Sequence, residues 1–117
     1  MKIFVSENND RVEMESIERG FRSDILVEID GKYYRLAVST IDRLTQEVKD
    51  AFRNSRTYEM DPCQVIVREA SLDDIVETIL ALCNNCFFES FMPVDLGVLY
   101  NCGFQYLSNI ENWTRIY

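Results

Sequence analysis

Between Asp24 and Asp30 apolar and polar side chains alternate, with Ile25, Val27 and Ile29 on one side and Leu26 and Glu28 on the other. A period of two predicts a strand. Asp30-Gly31 follows, a pair suited to a tight hairpin turn because both central residues need positive φ. Lys32–Val38 then returns as the second strand, carrying Tyr33, Tyr34, Leu36 and Val38. Two shorter strands are predicted at Lys2–Ser6 and at Gln64–Arg68, the latter a compact run of Val65, Ile66 and Val67. The period then changes. Ile41, Leu44, Val48 and Phe52 recur at three-to-four spacing and predict a helix with one apolar stripe, starting at Ser39 as its cap, with Asp42 in the first turn. Glu47, Lys49, Asp50 and Arg53 fall off that stripe.

A second helix is predicted from Ser71, with Asp74 three residues on. Leu72, Ile75, Val76, Ile79, Leu80 and Cys83 make its wide buried stripe, and Asp73, Asp74 and Glu77 sit off it. Arg11–Phe21 fits either period: Val12, Met14 and Ser16 alternate, whereas Met14, Ile17 and Phe21 have helical spacing. Near the end, Asp95–Asn101 reads as a short helix stopped at Gly103, Phe104–Leu107 as a last strand, and Trp113 and Tyr117 as pins for the tail. The expected fold is α+β: a mainly antiparallel sheet with two or three helices packed on one face, in a single domain spanning residues 1–117.

Composition supports a folded body. The apolar fraction is 47% over 117 residues, enough for a core without a metal or disulfide. Charge is one-sided, at −8. Residues 1–60 carry 10 basic and 12 acidic side chains, residues 61–117 only 2 basic (Arg68, Arg115) against 8 acidic, so the excess lies in the second half. Such a body repels nucleic acid and anionic membrane and suits a basic protein partner. No stretch nears the roughly 18 apolar residues of a membrane span, and Met1–Glu7 lacks a secretory apolar run. The expected location is a reducing cytosol.

The chain has no histidine, which excludes Ser-His-Asp and Cys-His nucleophilic sites and imidazole-bound zinc. Cys83-Asn84-Asn85-Cys86 is a CxxC, but it falls at a helix C-terminus, where the dipole raises rather than lowers a thiol pKa. Cys63 and Cys102 do not supply the second close-spaced pair of a four-thiolate zinc site. The carboxylate pairs Glu13/Glu15, Glu28/Asp30 and Asp73/Asp74 bracket no cleft visible in sequence, and no Gly-rich phosphate cradle or nucleophile elbow is present. These readings give no enzyme, no cofactor and no metal. They leave a binding protein whose candidate contacts are Asp73, Asp74 and Glu77 on one helix flank, then Glu28 and Asp30 beside the hairpin turn. The aromatics, mostly in the second half, read as core and sheet packing, with exposed anchors at an interface as the alternative.

Gly20 through Tyr34, continuing through Ser39-Thr40-Ile41-Asp42-Arg43-Leu44, resembles the small bacterial immunity proteins of contact-dependent inhibition and related polymorphic toxin systems. The Gln64–Arg68 strand and the Ser71–Cys83 helix fit the same picture, so the resemblance covers residues 20–85 by pattern and size rather than by a motif. It implies a cytosolic inhibitor that binds the C-terminal toxin domain of one cognate effector, often a nuclease with a basic cleft. A second copy of the chain is the other candidate partner. Two alternatives remain: an acidic nucleic-acid mimic that occupies a host or phage DNA-binding protein, and a small enzyme using two facing carboxylates.

Overall fold

The computed structural model describes residues 1–90, 93 and 112–117 of the chain. The described elements run β1 (Lys2–Val5), α1 (Asp10–Arg19), β2 (Phe21–Ile29), β3 (Lys32–Ser39), α2 (Ile41–Phe52), β4 (Gln64–Ile66), α3 (Leu72–Asn84), a 3₁₀ turn (Phe87–Ser90) and β5 (Thr114–Arg115). The strands form one sheet in the order β4-β3-β2-β1-β5. All pairings are antiparallel except β3 with β4. The fold is α+β, as the periodicities predict. The predicted Asp95–Asn101 helix and Phe104–Leu107 strand lie outside the described residues.

The hairpin sets the register. Asp30 and Gly31 both take positive φ, 51° and 76°. A turn of that kind matches the twist of its flanking strands, and it places Ile29 opposite Lys32 and Val27 opposite Tyr34. The alternation then delivers Ile25 and Val27, with Leu36 across from Ile25 and Val38 further along β3, to one face. They meet Ile3 and Val5 of β1 and the Ile75 and Ile79 side of α3 in a single core. Phe88 closes that core with its ring 5.4 Å from those of both Tyr34 and Phe87. Leu26 and Ala37 are buried as well. They alternate with the core residues, so the centre of the sheet is covered on both faces.

Two sequence expectations change. The ambiguous Arg11–Phe21 segment is helix α1 as far as Arg19, started by Asn9, whose side chain accepts from the Val12 amide, and ended by Gly20, after which Phe21 opens β2. Gly20 has a positive φ, and a Cβ there would meet the Thr40 hydroxyl at 2.5 Å. Glycine is thus needed for both backbone shape and space. The second change is at Ser39, which does not cap α2. It is the last residue of β3, fully buried, and its hydroxyl accepts from Gln64. Thr40 takes the capping role, accepting from the Arg43 amide. Serine and threonine can both cap, serine slightly better, so the choice of Thr40 was decided by where β3 stopped pairing.

The tail is held by backbone as much as by side chains. β5 pairs with β1, the Ile3 amide donates to the Tyr117 carbonyl at 3.0 Å, and Trp113 is buried. The Tyr117 ring itself stays exposed.

Candidate protein-binding surface

Ser71 caps α3 by accepting from the Asp74 amide, and the Leu72 amide donates to Glu13 of α1 at 2.8 Å. These contacts fix the start of α3 beside α1 and so orient its acidic flank. Of the three acidic candidates there, the structure separates one from the other two. Asp74 takes a two-pronged pair from Arg68, at 3.1 Å and 2.9 Å, and its side chain is only 12% exposed. Its charge is spent inside the fold. Asp73 and Glu77 lie one turn apart on the exposed side of the helix. Glu69, also exposed, joins them: Arg68 keeps its proton more tightly chiefly through Asp74, with Glu77 and Glu69 adding to the field. The edge therefore consists of Glu69, Asp73 and Glu77 around one neutralised pair. Like charges at i,i+4 on a helix cost the fold a few tenths of a kcal/mol; Asp73 offsets this by its place in the first turn, near the positive end of the helix dipole, whereas Glu77 lies a turn beyond it.

Glu28 and Asp30 do not belong to this edge. Val27 and Tyr34 point into the core under α3, so Glu28 points from the opposite face, where Lys2 lies 3.9 Å away. Asp30 sits in the turn and lines a cavity of about 590 Å³ with Met1, Tyr34, Cys83 and Phe88. That cavity is at the C-terminal end of α3, roughly ten residues or about 15 Å along the helix from Asp73.

The same cavity contains the sulfur atoms of the CxxC region. Cys83 Sγ approaches Met1 Sδ at 3.1 Å, and Cys86 is exposed just beyond the helix. Burial pushes the Cys83 thiol up, against a smaller opposing pull from the chain's amino terminus. Cys63 is raised by burial and then by Asp61. Both shifts disfavour the thiolate that redox or metal chemistry would use. Among the described residues no three His, Cys, Asp or Glu side chains come together in a metal-binding arrangement. Cys102 lies outside the described residues. Among the described residues no helix is long and apolar enough to cross a membrane.

Sequence reasoning missed two features. One is a buried ion cluster. A bulge in β2 between Arg22 and Ile25 adds a residue and swings Arg22 to the core face. Its side chain is 2% exposed and meets Asp24 at 2.7 Å and Glu13 at 3.6 Å, with the Glu7 carbonyl as a further acceptor. The only sequence signal was the i,i+2 pairing of Arg22 with Asp24 in a strand. The other feature is α2. Its apolar stripe is present as predicted, yet none of its residues is buried, and Ile41 and Phe52 are 61% and 55% exposed.

Polar contacts, added to the half-burial of Leu44, Val48 and Ala51, hold α2 in place. Arg43 lies over the Phe21 ring at 5.3 Å, donates to the Arg19 carbonyl and pairs with Glu47 at 2.8 Å. Tyr58 donates to the other Glu47 oxygen at 2.6 Å and ties the following loop to the helix. That bond holds the Glu47 carboxyl below its ordinary value and raises Tyr58. Ile41 also borders a groove of about 460 Å³ with Glu18, Arg19, Arg43, Arg68 and Glu69, which links α2 to the edge beside α3. No family model, curated protein or solved structure matches this chain.

Proposed function

We propose that this chain is an immunity-type inhibitor that acts in the cytosol by binding the C-terminal toxin domain of a cognate contact-dependent inhibition effector, a nuclease with a basic cleft. The observation that carries this reading is the solvent-facing acidic edge of Glu69, Asp73 and Glu77 on a chain of net charge −8. A fixed edge of that sign speeds encounter with a cationic partner and repels anionic competitors. The fold supports it mechanically: α3 is anchored by the core beneath it, so its outer charges are presented on a rigid element. The resemblance over residues 20–85 points the same way.

The test mixes the purified chain with the toxin domain encoded directly upstream. A complex, with protection of cells that express the toxin, is the expected result. The variant Asp73→Lys/Glu77→Lys should associate about tenfold more slowly at low salt and lose much of its salt dependence. Binding rates that match the parent would remove the acidic edge from the interface. No complex and no protection would remove the whole reading, and capture of a DNA-binding protein instead would favour the nucleic-acid mimic.

A further inference from the structure

α2 is a capped helix of 12 residues whose apolar stripe is half-buried at its centre, Leu44 and Val48, and left in solvent at its two ends, Ile41 and Phe52. Ile41, Leu44 and Val48 recur in the three-four spacing that packs one helix on another, and Phe52 extends the stripe by a turn. Large apolar side chains exposed at both ends of one half-covered stripe point to a contact that completes its burial. The flanking charges indicate what it contacts. Arg43 is matched by Glu47, and Arg53 by Asp50. The flank is therefore close to neutral and offers no field to a strongly basic partner. Two α2 charges have no partner among the described residues: Asp42 in the first turn and Lys49 in the last.

We infer that α2 is a self-association surface on which two copies of this chain dock antiparallel about a two-fold axis at the level of Gln46. In a two-fold contact the same patch meets itself, so residue i touching j implies j touching i. Centring at Gln46 sets Ile41 against the other copy's Phe52, and Leu44 against its Val48. Asp42 and Lys49 are seven residues apart, which puts them at nearly the same angle on the helix and on the same flank. Antiparallel docking brings like flank to like flank, so Asp42 of each copy lies beside Lys49 of the other. One register thus pairs both apolar ends and both unmatched charges. It also opposes the two helix dipoles. The stripe is short, about 18 Å, and covers less than the roughly 800 Å² per partner of a standard interface. Self-association is therefore weak. Asp73 and Glu77 lie outside the groove that Ile41 shares with Glu69, so docking through α2 leaves those two acidic residues open.

Sedimentation velocity on the full chain, from low to several hundred micromolar, is the test. The parent should pass from monomer to dimer across that range. Ile41→Asp/Phe52→Asp should remain monomeric throughout, with unchanged helical content by circular dichroism. Asp42→Lys and Lys49→Asp should each weaken the dimer about tenfold, and Asp42→Lys/Lys49→Asp should restore it, because the swap rebuilds both cross-copy pairs. A parent that stays monomeric would overturn the inference. So would a dimer indifferent to the stripe, or a double swap no better than the singles. If the stripe variant loses the toxin domain and not self-association, the occupant is the toxin and the two-fold dimer is wrong. Asp73→Lys/Glu77→Lys should leave self-association intact, which keeps this test separate from that of the acidic edge.

Discussion

Helices α2 and α3 contain 12 and 13 residues, begin at a threonine and a serine cap, carry acidic residues in the first turn and present an apolar stripe. Their surroundings differ completely. α3 buries Ile75 and Ile79 over the central strands, while α2 buries no residue fully and leaves Leu44, Val48 and Ala51 half-buried. The cause lies in the sheet. α3 crosses β1, β2 and β3, which present Ile3, Val5, Ile25, Val27, Leu36 and Val38 to it. α2 is the crossover between parallel strands β3 and β4, and β4 is an edge strand of three residues. At that edge little sheet remains for a helix to cover. An amphipathic pattern thus states which face of a helix prefers to leave water. It does not state that the same chain will supply the cover.

The largest test of this contrast removes equivalent apolar groups from both helices. Ile79→Ala empties a fully buried site and should cost about 2–5 kcal/mol in urea unfolding of the monomer. Ile41→Ala, at a position 61% exposed, should change monomer stability by no more than about 0.5 kcal/mol. Comparable losses at the two sites would mean that α2 is packed after all.

Next in size is the clamp that positions the start of α3. Glu13 bonds the Leu72 amide with one carboxylate oxygen and pairs with Arg22 through the other. Arg22→Ala leaves Glu13 and Asp24 facing each other without their shared cation, and breaking a buried pair in this way costs about 3 kcal/mol. Arg22→Met, which fills the space without the charge, should lose as much, because the two carboxylates are the problem. If Arg22→Met were neutral, packing rather than ion pairing would be the arginine's contribution. The corresponding cation on α2, Arg43, is 35% exposed, and its removal should cost under about 1 kcal/mol.

These contrasts show how far the sequence can be read. The hairpin was legible because Asp30-Gly31 and the alternation on either side answer to local backbone chemistry. α3 was legible because its stripe is wide and its cap sits directly before it. The β2 bulge was not: it is decided by Arg22 finding Glu13 and the Glu7 carbonyl, partners remote in sequence. For the same reason Asp73, Asp74 and Glu77 looked equivalent. Arg68 lies six residues before Asp74 across a loop, and only the folded chain shows that it selects Asp74 and leaves the other two facing solvent. Glu28 and Asp30 were grouped by proximity in sequence, whereas strand alternation and the turn send them to different surroundings.

The smallest expected effect bears on what holds α2. Tyr58→Phe deletes one hydrogen bond to Glu47, whose side chain is 28% exposed, and should cost less than about 1 kcal/mol at neutral pH. Its pH dependence is the more telling readout. Glu47 has a folded pKa below its ordinary 4.5, so its contribution is complete above that value and disappears as pH falls through the lower, folded one. Tyr58 is raised above its ordinary 10.0, so its contribution is complete below that value and disappears as pH rises through the higher one. The deficit of Tyr58→Phe should therefore be constant across the middle of the pH range and close at both ends. The Ile79→Ala deficit has no titrating partner and should stay open throughout. Parallel stability curves for the two variants would mean that the Tyr58–Glu47 bond does not tie the loop to α2 in solution. A closing gap for one and a constant gap for the other would distinguish a helix held by polar contacts from a helix held by its core.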